Sequence, residues 1–181
     1  KNRDQKDVTP SVIYIAKTGR TLVGQKAHNQ LLEDPENAAA EFKRLMGQSD
    51  LRTFPASSRS LSAEDLSAEV LKALLDDARR QTGDEIRSAV ITVPAAFGQL
   101  QCEATARSAR QVGLESAPLL QEPLAASIAY GLKPGARDRK WLVYDLGGGT
   151  FDIAIVSTRD GHLSVLEHRG DNMLGGKDID R

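Results

Sequence analysis

The pattern of apolar and polar positions changes style several times along the chain, and each change predicts an element. Val8-Thr9-Pro10-Ser11-Val12-Ile13-Tyr14-Ile15 is β-type, Thr18-Gly19-Arg20 supplies a turn, and Thr21-Leu22-Val23 returns, which predicts a hairpin. From Ala27 to Leu32 and from Ala38 to Met46 the spacing is helical, with Asp34-Pro35 separating the two helices and Gly47 closing the second. The polar, serine-rich stretch from Gln48 to Ser60 is expected as a loop or a short irregular hairpin. The clearest helix follows. Ser62-Ala63-Glu64-Asp65 is a cap with acids behind it, Leu66, Val70, Leu74 and Leu75 form one apolar stripe, and the helix should stop near Gly83.

Beyond that helix the elements alternate in type. Ala89-Val90-Ile91-Thr92-Val93 is a continuous β-rich run of the kind a buried parallel strand carries. Gln99 to Val112 reads as a helix closed by Gly113, Pro118-Leu119-Leu120 as a short strand, and Pro123 to Leu132 as a helix with proline in its first turn. Strand, helix, strand, helix is a βαβ unit facing a helical layer. Lys133 to Asp138 has linker chemistry, and then Trp141 to Asp145, Thr150 to Val156 and Leu163 to His168 read as an antiparallel meander, separate from the parallel strands. The expected organisation is a first lobe over 1–136, with a peripheral part at about 8–85 and a βαβ core at about 86–132. A second lobe then starts at 137 and runs to 181.

Composition narrows the function classes. In 181 residues, 24 Lys and Arg stand against 25 Asp and Glu, a net charge of −1 that argues against a general nucleic-acid grip or a polybasic membrane surface. Apolar residues make up 40% and charged residues 27%, as in an ordinary globular chain, and with only 4% aromatics the core must be aliphatic. The single cysteine excludes an internal disulfide framework and a four-thiolate zinc site. No apolar run approaches the roughly 20 residues of a membrane helix, so a cytoplasmic setting is the default expectation.

The strongest chemical signal is Tyr144-Asp145-Leu146-Gly147-Gly148-Gly149-Thr150-Phe151-Asp152. Three glycines between two strands let backbone N–H groups approach an anion and permit conformations other residues resist. Asp145 and Asp152 flank them, in position to hold Mg²⁺ through water, and Thr150 adds a hydroxyl. A flexible hairpin with solvated acids is the plainer alternative. Three more positions are weaker when taken alone. Glu122, where a strand meets a helix, reads by itself as an ordinary acid facing the helix dipole. Lys43 reads as a solvated helical lysine, and Pro94 as a strand stop. Two features carry no chemistry. Gly175-Gly176-Lys177-Asp178 has Asp where a phosphate-binding P-loop needs Ser or Thr, and Cys102 with the three histidines has no metal-ligand spacing.

In their order, several segments resemble the ATPase domain of the seventy-kilodalton heat-shock chaperone family. They begin with Thr9-Pro10-Ser11, Leu22-Val23-Gly24, Lys43-Arg44-Leu45-Met46-Gly47 and Val90-Ile91-Thr92-Val93-Pro94-Ala95. They continue with Glu122-Pro123-Leu124-Ala125-Ala126, Ala129-Tyr130-Gly131, Asp145 to Asp152, and Leu174-Gly175-Gly176-Lys177-Asp178-Ile179-Asp180. The resemblance covers essentially the whole chain. It implies an α/β, actin-like (ribonuclease H-like) two-lobed ATPase fold with ATP or ADP, Mg²⁺ and K⁺ in the cleft. It also implies the roles of individual residues. Lys43 would reach the terminal phosphates, Glu122 would order the metal shell and attacking water, and Asp145 and Asp152 would serve the metal. Thr150 would sit beside the γ-phosphate; Gly147, Gly148, Gly149, Gly175 and Gly176 would line the nucleotide. Pro94 matches a hinge proline, with Cys102 standing where the family places its arginine partner and Ala96 where it places an aromatic.

Further expectations follow from the same resemblance. The chain corresponds to an internal piece of a longer chaperone that couples ATP turnover to protein folding. In that parent the partners are a peptide-binding domain, a co-chaperone and a nucleotide-exchange factor, with no nucleic acid and no membrane. The piece itself is expected to be inactive and to bind ATP poorly, with an open sheet edge that a second copy covers. The altered hinge and the short Gln48–Ser60 stretch point to a specialised member. Two alternatives remain at this point: another actin-superfamily ATPase or sugar kinase, and a scaffold that binds nucleotide without turning it over.

Overall fold

The computed structural model describes residues 1–131 and 139–180. Packing groups Lys1–Ala89 with Glu103–Ala117 as one unit and Val90–Cys102 with Pro118–Arg181 as the other. The expected linker Lys133–Asp138 and the lobe boundary at 136/137 lie outside the described residues, whereas the helix expected to run to Leu132 already ends at Ala129, with Tyr130 as its cap.

In the first unit, β1 (Val12–Ile15) pairs antiparallel with β2 (Thr21–Val23), as the hairpin pattern requires. The strand starts at Val12 and not at Val8, because Pro10 has no N–H to give a ladder. Ile13 and Ile15 are fully buried, and α1 (Gln25–Glu33) packs against the same strand. The second expected helix, Ala38 to Met46, does not form. Ala38–Ala40 is β3, paired with the other side of β1, and Phe42–Leu45 is one 3₁₀ turn. Three alanines favour a helix only weakly when the alternative is to satisfy the free edge of a buried strand. Their small side chains also let α1 lie close against them. The serine-rich stretch resolves into a regular hairpin of β4 (Leu51–Phe54) and β5 (Arg59–Ser62). Arg52 helps fix it by donating to the carbonyls of Pro35, Glu36 and Ala38.

Helix α2 (Ala63–Thr82) starts at Ser62, whose Oγ accepts the Asp65 N–H while the Asp65 carboxylate accepts the Ser62 N–H. It ends at Gly83, which is left-handed at φ 78°. The single stripe expected for it is corrected. Leu66 is buried on one side and Leu74 is 44% exposed, while Ala68 and Leu75 are buried half a turn away from Leu66. That second side carries Glu64, which meets Arg107 and Ser108 of α3 (Gln99–Gln111), so α2 is covered on two faces.

In the second unit, β6 (Ile91–Val93) and β7 (Leu119–Gln121) pair in parallel, confirming the βαβ connection. The expectation of a buried strand over Ala89–Val93 is too broad. Val93 is buried, but Val90 and Thr92 are exposed, as a two-stranded sheet covers few of its own faces. β7 runs directly into α4 (Glu122–Ala129). The meander β8 (Arg139–Leu146), β9 (Phe151–Arg159) and β10 (His162–Asp171) forms its own antiparallel sheet, ordered β10-β9-β8 and distinct from β6 and β7. Helix α4 packs against all three strands. Leu142, Tyr144 and Leu146 are exposed on one face of β8, so α4 covers the opposite face, where Ala154 and Val156 are buried.

Candidate functional site: a glycine turn between two aspartates

Strand register sets the site. Asp145 on β8 lies directly opposite Asp152 on β9, and residues directly opposite in an antiparallel pair project to one face. Since exposed Leu146 and Tyr144 lie on the other face, both carboxylates lie on the covered one. Asp152 is 3% exposed and Asp145 is half-buried. Gly147 to Thr150 links the strands as a tight turn, closed by the Gly147 N–H donating to the Thr150 carbonyl at 2.9 Å.

The turn is held from a second direction by the segment around Gly175. The Gly176 N–H donates to the Gly147 carbonyl at 2.9 Å and the Lys177 N–H to the Gly148 carbonyl at 3.2 Å. Gly175 itself is buried, and a Cβ built there would lie 2.4 Å from both the Gly148 carbonyl oxygen and the Gly149 nitrogen. Asp178 fixes this contact, its Oδ2 accepting the Gly175 N–H at 2.9 Å. The aspartate that disqualifies the segment as a P-loop therefore has a local task. Contrary to expectation, neither Gly147 nor Gly148 has a positive φ, and a Cβ at Gly148 would meet open space. The demand for glycine comes from close approach at Gly175, not from handedness in the turn.

A residue the sequence reading passed over also belongs here. A Cβ at Gly170 would lie 2.6 Å from Asp152 Oδ1 and 2.4 Å from the Phe151 carbonyl, so only glycine leaves room for that carboxylate. A glycine inside a strand, opposite an acid in register, is the signal that could have found it.

Glu122 opens α4 immediately after β7, as the sequence places it. Glu122, Asp145, Asp152, the glycine turn, Thr150, Gly175 and Gly176 therefore all belong to the second unit, on a helix and the sheet it covers. Pro94 and Cys102 belong to that unit as well. Pro94 is buried directly after β6, its carbonyl accepts the Phe97 N–H at 3.1 Å, and Cys102 Sγ lies 4.0 Å from the Phe97 carbonyl. Phe97 thus links the two expected hinge positions through its backbone. Lys43 is in the first unit, exposed on the 3₁₀ turn and not on the expected helix.

Two carboxylates directly opposite each other form an oxygen donor set suited to Mg²⁺. That ion is commonly held by one or two carboxylates together with phosphate oxygens and water. Among the described residues no cluster of three or more His, Cys, Asp or Glu is placed to hold a metal, so the protein side of the site stops at this pair. Among them also, no helix is long and apolar enough to cross a membrane.

The model of the family described as Hsp70 protein matches residues 1–55 and 51–181. The chain belongs to the Hsp70 family. It is 41% identical over 180 residues to the chaperone protein DnaK of Thermotoga neapolitana, a match that takes in 99% of this chain and 30% of the relative. DnaK of Mycoplasmoides gallisepticum is 42% identical over 181 residues, with the same coverage. The chloroplastic heat shock 70 kDa protein 6 of Arabidopsis thaliana is 40% identical over 202 residues, covering 99% of this chain and 28% of the relative. The chain thus spans about three-tenths of the length of these curated relatives.

Proposed function

We propose that the chain forms the phosphate-handling part of a chaperone's ATPase domain, with an actin-like fold whose lobes divide near 136/137. The observation that carries this reading is the Gly147–Thr150 turn, set between Asp145 and Asp152 and braced by Gly175. In this reading ATP or ADP lies along the turn, where Thr150 and the backbone N–H groups face the phosphates. Mg²⁺ and K⁺ would supply charge neutralisation of the phosphates when bound. Asp145 and Asp152 hold the Mg²⁺ through water, and buried Asp152 is kept in place by the glycine at position 170. Glu122, fixed at the first turn of α4, orients the attacking water and the metal's water shell. Lys43 brings a positive charge to the transferred phosphoryl group. Positioning and electrostatic stabilisation account for most of the catalysis in such a transfer, and these residues offer both.

In the whole protein, hydrolysis would act on a peptide-binding domain, with a co-chaperone and an exchange factor setting the pace, in the cytoplasm, while Cys102 beside Pro94 lacks the charge of the arginine that the family places at this hinge. The test is single-turnover hydrolysis beside equilibrium ATP binding in the full-length protein, for Lys43→Ala and for the exposed control Lys17→Ala. Losing a transition-state charge costs about 2.7–4 kcal/mol, so Lys43→Ala is expected to hydrolyse about a hundred- to a thousand-fold more slowly while binding ATP nearly as well. Hydrolysis at the unaltered rate would remove Lys43 from the mechanism. A full-length protein that binds ATP without turnover would favour the scaffold instead.

A further inference from the structure

A cavity of about 430 Å³ lies wholly in the first unit and has no part in the site above. That volume is within the range of small-molecule sites. Its walls are the N-terminal segment, strand β2, the start of α1 and one side of α2.

Its charges are unevenly satisfied. The four lining carboxylates already have cations. Asp4 has Lys26 at 3.9 Å, Glu69 has Arg59 at 4.0 Å, and Asp76 and Asp77 share Arg3 at 3.3 Å each. Arg79 and Arg80 add further pairs to Asp76 and Asp77. Two lining cations, Arg20 and Lys72, have no ion-pair or hydrogen-bond partner among the described residues. The lining is balanced in charge, with Arg3, Arg20, Lys26 and Lys72 against Asp4, Glu69, Asp76 and Asp77, so Arg20 and Lys72 are the two lining charges left for a ligand to meet.

The backbone adds donors of the same kind. β2 is an edge strand. The bonds from Ala16 N–H to the Arg20 carbonyl and from Gly24 N–H to the Val12 carbonyl fix which of its residues face β1. By the alternation of an antiparallel ladder, the N–H groups of Thr21 and Val23 point the other way, out of the sheet edge along which the cavity lies. They are two residues apart, hence roughly 7 Å. The hydroxyls of Thr9 and Thr21 accept from Asn2 and Arg59, which leaves each O–H proton to donate. Leu22 and Ala73 give the cavity an apolar patch between these donors.

We propose that this cavity is a binding site for a compact anion with two phosphate groups, held by Arg20, Lys72 and the outward N–H groups of Thr21 and Val23. One anionic group at a time would satisfy one cation and one backbone donor, and the roughly 7 Å spacing of those donors suits a diphosphate or a small sugar bisphosphate better than a single phosphate. The proposal does not depend on the ATPase reading, since every residue in it lies outside the candidate site.

The test is titration of the 181-residue chain with inorganic pyrophosphate, and separately with fructose 1,6-bisphosphate, followed residue by residue through amide NMR shifts. Saturable shifts at Thr21 and Val23 are expected with at least one of the two probes. The double variant R20Q/K72Q, altered only at exposed side chains, should weaken that binding about tenfold or more, as loss of charge-assisted contacts does. The variant K140Q, on the exposed start of β8, should leave it unchanged. Shifts confined to the Gly147–Thr150 turn, undiminished binding in R20Q/K72Q, or no saturation with either probe would each overturn the assignment.

Discussion

Gly175 and Gly148 are both glycines of the same site, yet the structure asks different things of them. Gly175 is in extended backbone, where any residue is allowed, but its Cβ would enter the backbone of the facing turn. Gly148 faces open space. Gly175→Ala is therefore expected to cost about 1–3 kcal/mol, the range for a methyl forced into packed surroundings. It should also loosen the bonds from Gly176 and Lys177 to the turn, read as faster amide exchange at those two residues. Gly148→Ala should unfold within about 0.5 kcal/mol of the parent. Equal denaturant midpoints for the two variants would show that the turn yields to Gly175 at no cost.

Helix α2 shows how one element serves two neighbours. Its capping box was legible because Ser62 and Asp65 are three apart and the hydrogen bonds are local. Ser62→Ala should cost about 0.5–2 kcal/mol and lower the unfolding midpoint by a few degrees, as measured by calorimetry. The second face of the helix depends on α3. Arg107 donates to both Glu64 oxygens, at 2.9 and 2.7 Å, and this hydrogen bonding holds the Glu64 carboxyl below its ordinary value of 4.5 against the opposing effect of burial. A carboxyl lowered in the folded state contributes stability above its unfolded value, and that contribution is lost as pH falls through the lowered one. Stability should therefore decline on acidification below about pH 4.5, and Glu64→Gln should make that decline shallower. Acid unfolding curves of equal slope for the two proteins would assign the pH dependence to other carboxylates.

At the scale of the molecule, the residues proposed for phosphate chemistry come from two separately packed units, Lys43 from one and Asp145 from the other. Nothing within either unit requires them to act together; a shared phosphate ligand would. In the full-length protein, Lys43→Ala and Asp145→Asn should then be strongly non-additive in single-turnover hydrolysis. The double variant should lose far less than the product of the single losses, as residues acting as a unit do. Losses that multiply would mean the two residues serve separate steps.

Much of this chain was legible where the cause is local. The β1–β2 hairpin, the limits of α2 at Ser62 and Gly83, the β6–α3–β7 alternation and the meander around Gly147–Gly149 each follow from capping, turn chemistry or periodicity within a few residues. The order of short motifs from Thr9 to Asp180 was enough to place the family. What the sequence left open depends on partners distant along the chain. Ala38–Ala40 is a strand because β1 has a second edge to satisfy, against the alanines' own helical preference. Leu74 faces solvent while Ala68 is buried because α3 covers the other side of α2. Gly170 and Gly175 matter because Asp152 and the glycine turn approach them from other strands, and the inward facing of Asp145 and Asp152 is set by strand register under α4. Capping and turn geometry are written in neighbouring residues, whereas close approach and burial exist only once separate elements have met.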